Sequence, residues 1–367
     1  MKLMDRYLLR EYLVPVIYCF VGFSLVYTLL DLFGHLAHFL KARTPLVMIL
    51  QYYVFWLLPF LEYLLPASLL FATLYTLWRL TRNNELTAMR VSGFSLWRIM
   101  YPFLGVGLLA SLTVLAVKEL AVPRCNPKVA YMRSTGYSAS NLDSTRSTPA
   151  YYKNPNTRQF WQIARFDPYR PNRLHGVKIT EDRSDGTKAR EIAADRAEWL
   201  DGAWWFFGAR VQTYLPDGIQ TPKGPAVLLP GAGVELPFLK TRPSDIANEV
   251  KPWADLSSLD MWRYLGIHTD LSHALQASLA ADLHYRLAIP WACLIVTLFA
   301  IPTGARNARQ GMLVAIFIAV ACFFSFFTLL QVGVYLAKKQ ILSPWLGAWL
   351  SNIVFLGAGL GMTRRLR

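Results

Sequence analysis

Long apolar runs dominate the pattern of hydrophobic and polar positions along this chain. A helix needs about 20 apolar residues to cross the ~30 Å hydrocarbon core of a bilayer. The sequence predicts six such spans: Tyr12–Leu32, about Phe60–Leu80, Leu96–Val117, one that begins in or contains Arg286–Pro302, Gly311–Ala337 and Pro344–Met362. The apolar stretch from Pro45 to the second span is expected to form an interfacial helix, set off by Pro59 and Pro66. The fold class is therefore a polytopic α-helical membrane protein.

A different pattern fills the region between the third and fourth spans. The pairs Asp185-Gly186, Asp201-Gly202 and Asp217-Gly218 recur every 16 residues, and each is a strong turn signal between runs rich in aromatic and β-branched residues. Gly208 is placed to bend or bulge one strand. We predict spans one to three in residues 1–117, an all-β domain in 124–249, connecting helices in 250–284 and spans four to six in 285–367.

Charge supports this division and orients it. The chain has 367 residues, of which 54% are hydrophobic, and a formal net charge of +15. Most of the excess lies in the segments that flank the spans, so a nucleic-acid partner is not needed to explain it. Six spans place both termini on one side, and that side carries most of the basic residues of the short loops. The positive-inside rule then makes the termini cytoplasmic and the β domain external.

A basic segment, Arg79–Arg98, lies between the second and third spans and has its own helix signals. Asn83 or Asn84 can serve as N-cap, Glu85 falls in the first turn, and Gly93 follows the last turn. A helix is predicted over about 84–92, on the cytoplasmic side. It is either a solvated connector or a docking helix through which a soluble partner acts on the spans.

The sequence contains none of the common catalytic motifs considered next. The sequence has no Gly-x-x-x-x-Gly-Lys-Ser/Thr loop, no His-Glu-x-x-His and no Gly-x-Ser-x-Gly elbow with triad partners. Its six histidines lack the spacing of metal ligands, and its four cysteines offer no pair within one domain. The chain is therefore predicted not to be an enzyme and to bind no cofactor or metal itself.

Ionisable residues near the membrane suggest two roles. Asp31 and Glu62 lie near the outer ends of their spans, where an acid is more often interfacial than part of an ion pathway. His38, Lys41 and Arg43 gather beside the first span at the outer surface. These cations either anchor the helix at the interface or neutralise phosphates on a lipid head group.

Four stretches resemble one family, the lipopolysaccharide export permeases LptF/LptG. They are Met4–Glu11 (MDRYLLRE), Glu85–Ser95 (ELTAMRVSGFS), Ala197–Trp204 (AEWLDGAW) and Arg306–Gly311 (RNARQG). The order of six spans with a β domain between the third and fourth is also similar. The start of the chain and the Ser-Gly-Phe tail of the second stretch look more like LptG. The fourth stretch and the closing Arg364–Arg367 look more like LptF, so the paralogue is not assigned.

The resemblance implies the membrane subunit of an ABC transporter in a Gram-negative inner membrane, with a β-jellyroll in the periplasm. Its implied partners are a second permease, two copies of a cytoplasmic LptB-like ATPase that hold ATP and Mg²⁺, LptC- and LptA-like bridge proteins, and lipopolysaccharide. The implied ATPase contact is the helix with Glu85, Ala88, Met89, Arg90, Ser92 and Gly93. Lys41 matches a family position proposed to meet lipid phosphates.

Spans one and five would form a lateral gate for lipid, with Phe324 and Phe327 of the aromatic run in span five as candidates. In span six, Gly357 and Gly361 form a Gly-x-x-x-Gly pattern that serves either internal packing or a subunit contact. Two other functions remain as alternatives. An ion-coupled lipid flippase would need Asp31 or Glu62 to titrate during turnover, and a membrane-anchored periplasmic scaffold would not bind an ATPase.

Overall fold

The computed structural model describes residues 3–134, 148–154, 157–167, 171–215, 222, 227–228, 233–236, 239, 241–268, 271–307 and 312–365. These residues fall into two compact units, one from residues 1–138 and 272–367 and the other from 139–271. The two Asp-Gly pairs at 185 and 201 lie in the described part. Asp217-Gly218 and most of the Arg306–Gly311 stretch lie outside it.

The first unit is helical. Its helices, numbered in chain order over the whole protein, are α1 (Leu3–Lys41), α2 (Leu46–Leu57), α3 (Leu61–Arg82), α4 (Glu85–Val91), α5 (Leu96–Ala116), α6 (Val122–Ser134), α9 (His273–Ala288), α10 (Ala292–Asn307), α11 (Met312–Lys338) and α12 (Pro344–Arg365). Within the described residues, six continuous helical stretches are long and apolar enough to cross a membrane. The predicted number of spans is confirmed.

Two spans extend further than the sequence indicated, because short irregular turns continue the helix where an end was expected. α2 runs into α3 through a 3₁₀ turn at Leu58–Phe60 that carries Pro59. α5 does not stop at Val117 but passes through a π-helical turn, Val117–Ala121, into α6. A proline in a first turn and a π turn both keep a helix going at the cost of a local irregularity.

The core of the helical unit is built around α10. This helix packs against α3, α5 and α12. The membrane span that contains it, His273–Ala305, is the most deeply buried of the six. α11 and α12 approach closely where Gly333 faces the carbonyl of Gly347, so a side chain at either position would meet backbone. Gly357 and Gly361 play no such part within the described residues, since a Cβ at either would meet open space.

The second unit contains an antiparallel sheet. Its described strands are β1 (Thr148–Asn154), β2 (Gln159–Phe166), β3 (Arg173–Asp182), β4 (Lys188–Leu200), β5 (Ala203–Phe207), β6 (Arg210–Thr213), β7 (Val227–Leu228) and β8 (Val234–Glu235). The strand order is β1-β2-β3-β4-β5-β8, with β6 paired to β4 and to β7. Helices α7 (Pro243–Val250) and α8 (Ser258–Ile267) follow the strands. A β domain between the third and fourth spans confirms the predicted fold class.

Local sequence explains the shape of this sheet. Asp201 and Gly202 both have positive φ, 51° and 84°, as the type I′ turn of a two-residue hairpin requires. Gly208, at φ +65°, breaks the next strand into β5 and β6, which pair with different parts of β4. The positive φ favours glycine at this position, and a Cβ there would lie 2.5 Å from Oδ2 of Asp195, whose side chain would have to move.

One face of the sheet is the core of this unit. Trp161 and Trp204 are fully buried, with ring centroids 5.8 Å apart. The Trp204 indole donates a hydrogen bond to the carbonyl oxygen of Thr241 at 2.7 Å, which satisfies its buried polar atom. The first described strand begins at Thr148, and α6 occupies the start of the range 124–249 that was predicted for the β domain.

Candidate functional site

The short helix α4 lies between two spans and is held at both ends by turns. Asn84, its N-cap residue, has a left-handed backbone conformation with φ 58° and makes no side-chain cap. The helix covers Glu85–Val91, ends at Ser92, and is followed by Gly93 at φ +86°. The predicted helix is present, with seven residues rather than about nine. The left-handed residues on either side mark where α4 begins and ends, so it is a separate short helix between α3 and α5.

One side of α4 is fixed to the bundle. Leu86 is buried and Met89 packs against the same apolar cluster, which contains Leu80 and Met100. Ala88, Arg90 and Ser92 are exposed, and the Ser92 hydroxyl donates to the Ala88 carbonyl oxygen at 2.9 Å. The predicted docking residues are thus divided, because Met89 serves mainly to seat the helix while Ala88 and Ser92 face outward.

Glu85 ties α4 to the start of α1. Its carboxylate accepts a hydrogen bond from the hydroxyl of Tyr7 at 2.7 Å and another from the side-chain amide of Asn83 at 3.2 Å. Both hydrogen bonds lie at the protein surface, so the carboxylate remains accessible. Glu85 can therefore meet a partner and still remain connected to the first membrane helix.

Ion pairs make the same connection beside α4. Arg98 of α5 contacts Asp5 at 2.9 Å, and Arg79 of α3 contacts Glu11 at 2.8 Å. Both acids belong to α1. Together with the Tyr7–Glu85 hydrogen bond, three polar contacts thus join α1 to α3, α4 and α5 at this end of the bundle.

Two exposed apolar residues near α4 were not singled out from the sequence. Val91 is 83% exposed and Phe94 is 37% exposed. Together they add apolar area to the exposed surface at the C-terminal end of α4. Their signal in the sequence was an apolar residue at the last position of α4 and another just after it, in an otherwise polar segment.

The three cationic residues predicted at the outer surface lie together at the C-terminal end of α1. Lys41 is the last residue of α1, His38 lies one turn before it, and Arg43 follows in a left-handed conformation with φ 48°. All three side chains are exposed. They form a cationic rim that is open to solvent.

Further cations reach the same region from α6, and sequence reasoning missed them. Arg133 donates to the Tyr52 hydroxyl at 2.9 Å and lies 4.0 Å from Asp31, while Lys128 lies over the ring of Phe55 at 5.0 Å. Asp31 also accepts a hydrogen bond from Tyr53 at 3.2 Å. Asp31 therefore connects α1 to Tyr53 of α2 and to Arg133 of α6.

A helical period could have revealed α6. Val122, Cys125 and Val129 are buried and Met132 is partly buried, at spacings of three and four residues. This is the apolar stripe of an amphipathic helix. It was overlooked because Lys118 and Glu119 interrupt the apolar run just before it.

Glu62 lies in the interior of the bundle rather than at its surface. It is 9% exposed and forms an ion pair with Lys118, which belongs to the π turn between α5 and α6. Lys118 also lies 5.2 Å from the ring centroid of Tyr285. The hypothesis of a snorkelling interfacial acid does not fit this position. Through Lys118, Glu62 connects α3 to the π turn and to Tyr285 of α9.

The two aromatic residues proposed for a gate face different ways. Phe324 is 63% exposed, whereas Phe327 is buried and packs against Tyr63 with ring centroids 5.1 Å apart. Only Phe324 belongs to the outer surface of α11. Among the described residues, no group of three or more His, Cys, Asp or Glu side chains could hold a metal ion.

One comparison with known proteins identifies the family. The model of the lipopolysaccharide export system permease LptF/LptG matches residues 6–365, nearly the whole chain. No individual curated protein matches it. With its six membrane helices and inserted β-sheet domain, the chain is a multi-pass inner-membrane permease of lipopolysaccharide export and belongs to the LptF/LptG family.

Proposed function

We propose that this permease is a membrane subunit of an ABC transporter that extracts lipopolysaccharide from the inner membrane and passes it to a periplasmic bridge. The observation that carries the proposal is α4, a helix seated on the bundle by Leu86 and Met89 with an exposed outer side. The sequence has no phosphate-binding loop of its own. The energy is therefore supplied by a separate ATPase, which holds the ATP and Mg²⁺.

The distribution of basic residues supports the orientation. Arg6, Arg10, Arg82 and Arg90 lie at the end of the bundle that carries α4 and the start of α1. By the positive-inside rule this end is cytoplasmic. Both termini then face the cytoplasm, and the sheet faces the periplasm.

The ATPase docks on α4 through polar and apolar contacts together. Glu85 offers a carboxylate to a basic residue of the ATPase, and Ala88, Ser92 and Gly93 allow a close approach. Arg90 adds charge at the C-terminal end of the helix. Val91 and Phe94 supply apolar area that the ATPase covers.

Movement of α4 reaches the spans by two routes. The buried Leu86 and Met89 press on the core that α3 and α5 share. The Tyr7 hydrogen bond to Glu85 pulls on the start of α1. Because α1 and α11 form the two sides of the lateral gate, closure of the ATPase changes the opening through which lipid enters, with Phe324 at the outer surface of α11.

The cationic rim binds phosphate groups of the lipid on the periplasmic side. His38, Lys41 and Arg43 are exposed at the end of α1, and Lys128 and Arg133 lie on α6 beside α2. Charge-assisted contacts to phosphate are the strongest that such side chains make. The sheet then receives the lipid and hands it to LptC- and LptA-like proteins, and a second permease completes the membrane part.

Neither alternative function gains support from the described contacts. An ion-coupled flippase would use Glu62 or Asp31, but each acid has a structural partner here: Glu62 is paired with Lys118, and Asp31 accepts a hydrogen bond from Tyr53 and lies 4.0 Å from Arg133. A periplasmic scaffold gives no reason for α4, a helix that is seated on the bundle and leaves one side exposed.

The test is Glu85→Lys in the full complex, measured by co-purification of the ATPase and by export of lipopolysaccharide. We expect the ATPase to be lost or export to fall while the permease still inserts, because a like charge replaces the docking carboxylate. The matched control is Glu235→Lys on β8, where the same change lies on an exposed strand. Undiminished ATPase recovery and export in Glu85→Lys would contradict the proposal.

A further inference from the structure

A cavity of about 610 Å³ opens beside the cytoplasmic half of the bundle, as the proposed function orients it. Its walls come from the first part of α1, the last part of α3 and the first part of α11. The lining includes Arg10, Glu11, Val14, Tyr75, Trp78 and Arg79. The cavity is therefore at the opposite end of α1 from the rim of His38, Lys41 and Arg43.

The charges of this cavity leave an excess of one cation. Glu11 and Arg79 form an ion pair at 2.8 Å, yet the Arg79 side chain stays 48% exposed. Arg10 is exposed and has no ion-pair partner among the residues that the structure describes. Two guanidinium groups and one carboxylate carry a net charge of +1, which matches a single phosphate diester.

The rest of the lining suits the head group and the upper acyl region of a lipid. Tyr7, Tyr18 and Tyr75 bring hydroxyl groups on aromatic rings, and Trp78 lies among them. Such amphipathic rings collect at the level of lipid head groups. Further lining residues on the same three helices, Val14, Phe71, Leu74, Ile316 and Ala319, offer apolar contact.

We propose that this cavity binds one anionic phospholipid of the cytoplasmic leaflet. Its phosphate contacts Arg10 and Arg79, and its acyl chains lie against α1, α3 and α11. Basic pockets between membrane helices on the cytoplasmic side hold anionic head groups in this way. The site is separate from the outer rim assigned to lipopolysaccharide, and it places a resident lipid between the two helices of the proposed gate.

The experiment uses the complete transporter complex in nanodiscs of phosphatidylcholine that contain a minor fraction of phosphatidylglycerol. Native mass spectrometry then counts the lipids retained on this chain after release from the disc. We expect selective retention of one phosphatidylglycerol. Arg10→Gln should lower its retention about fivefold, the equivalent of ~1 kcal/mol for one basic residue.

Two further variants make the result specific. Val14→Trp fills the cavity without removing a charge and should also lower retention. Arg6→Gln removes an arginine one turn from Arg10 that does not line the cavity, and it should retain phosphatidylglycerol as the wild type does. The same spectra report whether each variant assembles with its partners, so a folding defect is recognised directly.

The outcomes separate this inference from the proposed function. Equal retention in wild type, Arg10→Gln and Val14→Trp would overturn it, as would equal retention of phosphatidylcholine. Lipopolysaccharide at this site, identified by its mass, or a partner helix cross-linked to Val14 would also overturn it. A permease that holds phosphatidylglycerol but no ATPase would contradict the docking proposal and leave the lipid site standing.

Discussion

The two units of this permease use charged residues in opposite ways. In the helical unit, Glu62 and Lys118 form a pair in which both side chains are less than one-sixth exposed, at 11% and 15%. In the sheet, pairs such as Lys178 with Glu191 and Arg190 with Glu181 lie across neighbouring strands with one side chain well exposed. Acid–base ion pairs thus occur in the buried interior of the helical unit and on the solvent-exposed surface of the sheet.

The difference lies in what happens when one partner is removed. A buried charge that loses its partner keeps the full cost of leaving water, whereas a surface charge is simply solvated. The bundle pair therefore specifies where α3 and the π turn meet. The sheet pairs adjust a surface whose stability comes from the aromatic core beneath it.

The largest expected effect is that of Lys118→Met. The substitution leaves Glu62 buried without its cation, so we expect the free energy of unfolding of the helical unit to fall by about 3–5 kcal/mol. Equilibrium unfolding in mixed micelles measures this loss.

The double variant Glu62→Met/Lys118→Met is the control, because it removes both charges and keeps apolar side chains of similar volume. It should recover most of the stability. Equal destabilisation in the single and double variants would mean that the pair is not what holds this part of the bundle.

An intermediate effect is expected for Gly208→Ala in the sheet. The new side chain has to adopt a positive φ and meets Asp195 at 2.5 Å, so we expect a loss of about 1–3 kcal/mol in unfolding free energy. Hydrogen–deuterium exchange of the backbone amides of β4, β5 and β6 measures the loss in this unit. Gly186→Ala is a useful comparison, since a Cβ there would meet open space. Equal losses in both variants would show that strain alone, without the clash, sets the cost.

A smaller effect is expected at the surface of the bundle for Tyr7→Phe. This variant removes the hydroxyl that donates to Glu85 and leaves the ring in place. An exposed hydrogen bond of this kind contributes about 1 kcal/mol. We expect the amount of lipopolysaccharide exported per ATP hydrolysed to fall by up to about fivefold, while the ATPase stays bound. Unchanged export per ATP would mean that α4 acts on the spans only through Leu86 and Met89.

The smallest effect is expected for Lys178→Ala on the sheet surface. Its pair with Glu191 is 2.8 Å long, but the lysine side chain is 46% exposed, so the loss should stay below about 1 kcal/mol. Thermal denaturation in low and high salt measures it. A loss as large as that of Lys118→Met would remove the distinction between the two units.

Much of the fold could be predicted from local patterns. Six apolar runs gave six spans, and the Asp-Gly pair at 201 with Gly208 gave a hairpin and a bent strand, because turn conformation depends on the residues at the turn itself. The extension of α5 into α6 could not be predicted in the same way. Lys118 and Glu119 look like the end of a span, and only the position of Glu62 far away in sequence explains why the helix continues.

The candidate site was predictable to a similar extent. The capping residues around Glu85 indicated α4, and the sequence showed that it is isolated between two spans. Which of its residues are seated and which are exposed depends on contacts with Leu80 and Met100. The hydrogen bond from Tyr7 joins positions 78 residues apart, and no local pattern contains that information.

Site-specific photocross-linking can show whether a separate ATPase docks on α4. A photoreactive amino acid is placed at Ala88, which is exposed on α4, or at Thr187 in the turn between β3 and β4 as a control. Irradiation of the intact, active complex should join the chain to the ATPase from Ala88 and not from Thr187. An active complex that gives no ATPase adduct from Ala88, or gives one equally from Thr187, would contradict it.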